Sequence, residues 1–159
     1  FPQAAYPAES SLRSLYEETM RELATETVNK ELPSGWIESA PSVGFTVWDN
    51  KDHRTIYLLN TDWQSAEQQH TATFVYNGKK FPVDVRRYHI ETVHCANGLA
   101  INPGSNTTDI LSINKEGNSW KVTVQNTEKD TIRCFNAETG TTTTVVLDSP
   151  SVHVITVGY

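Results

Sequence analysis

Long apolar runs are missing from this sequence, and none approaches the roughly 18 residues that a membrane-spanning helix needs. Basic charge is scarce too: 13 Lys and Arg against 19 Asp and Glu leave a net charge of −6. Basic residues cluster no further than pairs such as Arg86-Arg87, so the positive stripe that a nucleic acid demands is absent. Cysteine is limited to Cys95 and Cys134, too few for a disulfide-built scaffold. A bridge between them would close about 39 residues and contribute roughly 4 kcal/mol in the loop-entropy model; two small buried hydrophobes are the other reading. Catalytic signatures are lacking as well. There is no Gly-x-Ser-x-Gly elbow, no phosphate-binding P-loop and no His-Glu-x-x-His pair. The chain also has no signal peptide and opens at Phe1 rather than Met, so its start reads as a processed or cut end of a longer protein.

What is present begins with a helical rhythm. Leu12, Leu15, Tyr16, Met20, Leu23, Ala24 and Val28 follow i, i+3, i+4 spacing. Pro7 and Glu9-Ser10-Ser11 supply start signals and Pro33-Ser34-Gly35 a stop, with Lys30 near the end of the helix where the dipole favours a cation. The spacing predicts one amphipathic helix over about residues 9–31. After it, short runs rich in Val, Ile, Thr and aromatics recur at about ten-residue spacing between turn residues, the pattern of an antiparallel sandwich. Strands are expected near 43–48, 55–60, 70–76, 80–87, 89–95, 98–102, 108–114, 119–126, 130–136, 141–147 and 152–158.

Two hairpins can be tested by register. Asn77-Gly78 suits a two-residue type I′ turn, which pairs Tyr76 with Lys79 and Phe74 with Phe81. Ala72, Phe74, Phe81, Val83 and Val85 then share one face. Pro82 cannot donate, which predicts either an edge strand or a position whose missing donor points outward. Taking Lys115-Glu116-Gly117-Asn118 as a second loop pairs Ile113 with Trp120 and Leu111 with Val122, and Val124 joins the same face. Burial is expected for Phe74, Phe81, Val83, Ile113, Trp120 and Val122. "VGFTVWDN" and "TIYLLN" break the one-sided pattern: Trp48, Tyr57 and Leu59 oppose Val43, Phe45, Val47, Ile56 and Leu58. A sheet with one wet face does not need this, so the helical stripe is expected to cover the outer side.

Polar clusters have ordinary explanations. Asp49, Asp52 and Asp62 sit near strand ends, where turns attract Asp, and no catalytic residue is assigned. His89, His94, Cys95 and Cys134 resemble a metal set, but strand alternation sends His94 to the face opposite His89 and Cys95; neither metal nor cofactor is expected. Trp36, Trp63 and Tyr88 lie beside loops or strand ends and are the candidates for a sugar-stacking platform. Asn106-Thr107-Thr108 is a glycosylation sequon.

The opening "FPQAAYPAESSLRSLYEETMRELATE" resembles the last helix of a carbohydrate-active catalytic domain, and "VGFTVWDNKDHRTIYLLNTDW" resembles the first hairpin of the β-sandwich that follows many glycoside hydrolase barrels. The likeness covers residues 1–64 by pattern and the remainder as a succession of strands. It implies a C-terminal β-sandwich accessory domain of a multidomain glycoside hydrolase, with a helical segment over 1–35 and the sandwich over 36–159. It further implies a non-catalytic role and a location outside the cytoplasm: extracellular, periplasmic or at the cell surface. The implied partners are the parent's catalytic domain and an oligo- or polysaccharide. Alternatives are a carbohydrate-binding module and a protein-interaction or adhesion domain.

Overall fold

The computed structural model describes residues 14–23, 35–40, 42–62 and 68–158. The chain divides into two compact units, residues 1–33 and 34–159. In the first, residues 14–23 form a helix, α1, within the span that the apolar rhythm predicts. The predicted start and stop signals on either side, Gly35 excepted, lie outside the described residues, and so does Trp63.

The second unit is antiparallel β throughout. Its strands are β1 (Trp36–Ser39), β2 (Val43–Asn50), β3 (His53–Asn60), β4 (Gln69–Tyr76), β5 (Lys79–Arg86), β6 (Ile90–Ala96), β7 (Leu99–Asn102), β8 (Thr108–Glu116), β9 (Ser119–Asn126), β10 (Asp130–Asn136), β11 (Thr142–Leu147) and β12 (Ser151–Gly158). They form a central six-stranded sheet in the order β11-β10-β7-β6-β3-β2 and two three-stranded sheets, β1-β4-β5 and β12-β9-β8. Eleven of these strands fall where the sequence predicts them. β1 was not expected, because Trp-Ile-Glu-Ser is too short to show a period.

Strand alternation explains how one sheet serves two cores. On one face of the central sheet Val43, Ile56, Leu58, Val93, Cys95, Ala100 and Phe135 meet Ala72, Phe74, Phe81, Val83 and Val85 of the β1-β4-β5 sheet. On the other face Ala96, Leu99, Ile101, Ile132, Cys134 and Leu147 meet Ile113, Trp120, Val122, Val124 and Val157 of the β12-β9-β8 sheet. The small sheets therefore cover opposite faces and opposite halves of the large one. Only the middle is covered twice, and β7 is buried at all four positions. Cys95 and Cys134 are free thiols in different cores, separated by the sheet itself. The sheet between them removes the disulfide reading.

The Asn77-Gly78 hairpin forms in the expected register, with Tyr76 opposite Lys79 and Phe74 opposite Phe81. Both turn residues have positive φ, 48° and 73°. Pro82 lies on β5, an edge strand, one of the two placements its missing amide allows. The second hairpin needs correction. Its loop is Gly117-Asn118 alone, so Lys115 faces Trp120 and Ile113 faces Val122, and the register shifts between Ile110 and Ser112. A slip of two residues keeps the faces, and Ile113, Trp120, Val122 and Val124 are all buried. The bulge turns Leu111 out to solvent and puts Ile110 in its place.

Candidate functional site

Each small sheet stops partway across the central one, leaving two uncovered half-faces of opposite character. On β2, β3 and β6 the open half-face is apolar. Trp48 stands opposite Thr55, Tyr57 lies between Thr46 and Thr92, and Leu59 lies between Gly44 and Ile90. Trp48 is 67% exposed and Ile90 49%, with Tyr57 and Leu59 near 40% and 37%. The double-sided strands of the sequence are thus buried on one side and partly exposed on the other.

On β7, β10 and β11 the open half-face is polar. Where the β1-β4-β5 sheet ends at β5, a step forms a cleft of about 300 Å³, whose lining includes Asp84, Arg86, Glu91, Asn102, Gly104 and Arg133. Its charged groups are held in place. Arg86 donates from Nε to Glu91 at 2.6 Å and from Nη2 to the Gly104 carbonyl at 2.6 Å; the Glu91 bond raises the guanidinium's pKa further. Arg133 donates to Asn102 Oδ1 at 2.6 Å. Asp84 accepts from the Thr71 hydroxyl at 2.8 Å. Gly104 allows this wall to close, because a Cβ there would stand 2.7 Å from Asp130 Oδ1 and 2.8 Å from the Thr131 carbonyl.

On the same side of the sheet as the apolar half-face, beside Thr55, His53 Nε2 lies 3.2 Å from His94 Nδ1, which also lies 3.3 Å from Thr55 Oγ1. Burial, then the neighbouring His53, pushes His94 down to about 4, and burial lowers His53 as well. Both rings are therefore neutral near pH 7. Among the described residues no three His, Cys, Asp or Glu side chains gather as metal ligands. Two of the three Asp candidates have structural partners, Asp49 with Arg54 at 2.8 Å and Asp62 with His70 at 3.1 Å, while Asp52 lies in the turn between β2 and β3. Burial raises both thiols, Cys134 to about 12, which leaves them protonated and poor as nucleophiles.

The two described aromatic candidates, Trp36 and Tyr88, are not brought together. Trp36 is half-buried on β1 opposite Val75, which faces Lys80. Tyr88 follows β5 at the far end, 76% exposed and with positive φ, its ring 5.1 Å from the Arg87 guanidinium. Six residues of strand between Lys80 and Arg86 correspond to roughly 20 Å. The Arg86–Arg133 cleft was missed by sequence reasoning. Thr131 and Arg133 alternate with Ile132 and Cys134 as in any half-wet strand, and only strand pairing puts Arg133 beside Asn102. No family model, curated protein or solved structure matches this chain.

Proposed function

We propose that this chain is a non-catalytic β-domain of a larger carbohydrate-active protein outside the cytoplasm, and that it packs against the catalytic domain through β2, β3 and β6. The observation that carries this reading is the contiguous Trp48–Tyr57–Leu59–Ile90 surface. Exposed apolar patches of this kind are costly in water and mark protein interfaces. Covering Trp48, Tyr57 and Leu59 would contribute on the order of 2 kcal/mol each. The amphipathic stripe predicted over residues 12–28 is a second candidate for the same surface.

A second reading rests on the cleft. Arg86 and Glu91 neutralise each other, while Gln69, Asn102, Thr131 and Thr144 supply donors and acceptors. That chemistry suits a polyhydroxylated ligand rather than a strongly charged one. It favours sugar binding here over stacking on a platform that joins Trp36 to Tyr88.

Hydrogen exchange tests the packing reading. Amides of β2 and β3 are expected to exchange more slowly in a longer polypeptide carrying the neighbouring domain than in residues 1–159 alone. Deleting residues 1–32 separates the two occupants: an unchanged melting temperature, with no new dye-binding surface, removes the helix as the cover. Equal exchange in the long and short chains overturns the packing reading. Turnover of a glycoside by this chain, lost in a single carboxylate variant, overturns the non-catalytic one. Calorimetric binding of an oligosaccharide, abolished by Arg133→Ala, selects the second reading.

A further inference from the structure

Three open sheets have two edge strands each, and the chain treats these edges differently. β1 carries a bulge and Glu38, which pairs with Lys80. β5 carries Lys79, Lys80, Pro82, Asp84 and Arg86. β8 carries a bulge together with Asp109, Lys115 and Glu116. β2 is more lightly marked, by Asp49. Bulges, proline and charge are the devices that stop an edge from pairing with another chain. β11 and β12 have none of them: Thr142–Leu147 and Ser151–Gly158 contain no Lys, Arg, Asp, Glu or Pro.

The two unmarked edges are neighbours. β8 lies beside β6, so the order β12-β9-β8 carries β12 over to the β11 side of the sandwich. There Val145 of β11 and Ile155 of β12 pack on the same core. β12 is regular, with eight consecutive residues paired to β9 and no bulge. Among the described residues no strand pairs with its other edge. Val152 and Val154 are 57% and 59% exposed. The one titratable side chain, His153, is engaged with the Ser149 carbonyl and the Ser151 hydroxyl of its own segment.

We propose that two copies of this chain associate through β12, antiparallel about a two-fold axis, and so join their β12-β9-β8 sheets into one. Self-pairing places a strand opposite itself, so any charged residue near the axis meets its own copy at short range. Freedom from charge is therefore what a self-pairing edge requires, and it is what sets β11 and β12 apart. Register follows from alternation. The axis must pass through a residue, because an axis between residues would set inward side chains against outward ones. An axis at Val154 places Val154 opposite its own copy and Val152 opposite Thr156, and it keeps Ile155 and Val157 facing the core. The neighbouring β11 edge adds no repulsion.

Sedimentation equilibrium on residues 1–159 tests the proposal. The wild type is expected to be dimeric, and Val154→Lys is expected to raise the dimer dissociation constant by about tenfold or more. An unchanged circular dichroism spectrum and melting profile would show that Val154→Lys still folds, as an exposed position allows. Leu111→Lys, on guarded β8, should leave the dimer intact. Hydrogen exchange should slow in β12 as concentration rises. A wild type that remains monomeric at about 1 mM overturns the proposal. So does a dimer indifferent to Val154→Lys, or one abolished instead by Trp48→Lys, which would place the contact on the β2-β3-β6 face.

Discussion

His94 shows how much burial does to a single group here. Its ring is held between His53 and Thr55, and its pKa falls from 6.5 to about 4. Above pH 6.5 the ring is neutral whether the chain is folded or not, so it contributes no pH dependence. Below 6.5 the unfolded chain takes up a proton that the folded ring refuses until about pH 4, so stability falls as pH drops through that window. The full loss is on the order of 3 kcal/mol. His94→Gln removes this contribution. The variant should therefore lose less melting temperature than the wild type between pH 6.5 and pH 4.5, and parallel curves would show that His94 does not carry the effect. Some of this was legible in the sequence. Alternation gave His94 and Cys95 opposite faces, but only the packing of β8 beside β6 accounts for burial at a position that reads as surface.

Turns carry more of this fold than their length suggests. Asn77-Gly78 and Asn97-Gly98 are the same dipeptide, and all four residues have positive φ. The first stands in solvent. The second joins all three sheets: Asn97 Nδ2 donates to Ile113 O at 2.9 Å, Trp120 Nε1 donates to Asn97 O at 2.8 Å, and the Gly98 amide donates to the Tyr76 hydroxyl at 3.0 Å. Substitution by Ala imposes the left-handed backbone cost at either turn, about 1 kcal/mol. Asn97→Ala also loses a tertiary hydrogen bond, worth about 1 kcal/mol more. Chemical denaturation should find Asn97→Ala roughly twice as destabilising as Asn77→Ala. Equal effects would mean that the joint is not under load. Sequence reasoning used the first Asn-Gly and passed over the second, because the dipeptide looks the same wherever the chain has folded it. The β8–β9 hairpin taught a related lesson, since hydrophobic alternation fixed its faces but tolerated a two-residue slip.

At the scale of the molecule, two cores share one sheet. β6, β7 and β10 send side chains into both, Cys95 and Phe135 to one and Ile101 and Cys134 to the other. Neither small sheet can then detach without uncovering strands that the other core needs. Phe74→Ala and Trp120→Ala, fully buried in different cores, should each cost about 3–5 kcal/mol. Each is expected to shift a single transition, seen alike by circular dichroism and tryptophan fluorescence. A biphasic melt in either variant would show two independently folding halves.

The sequence by itself determined the class of fold, nearly every strand, the restriction that Pro82 places on its strand and the two-sided character of β2 and β3. These follow from periodicity and turn chemistry, which act over a few neighbouring residues. It also determined that Thr142–Leu147 and Ser151–Gly158 carry no charge, although only the sheet order makes those strands edges. Tertiary structure alone decided that the small sheets cover opposite faces, that Cys95 and Cys134 are kept apart, and that Arg86 and Arg133 line one cleft. Those facts depend on which strands pair and on where each sheet stops. Such choices are made by the fit of whole surfaces, so alternation within any one strand is compatible with several of them.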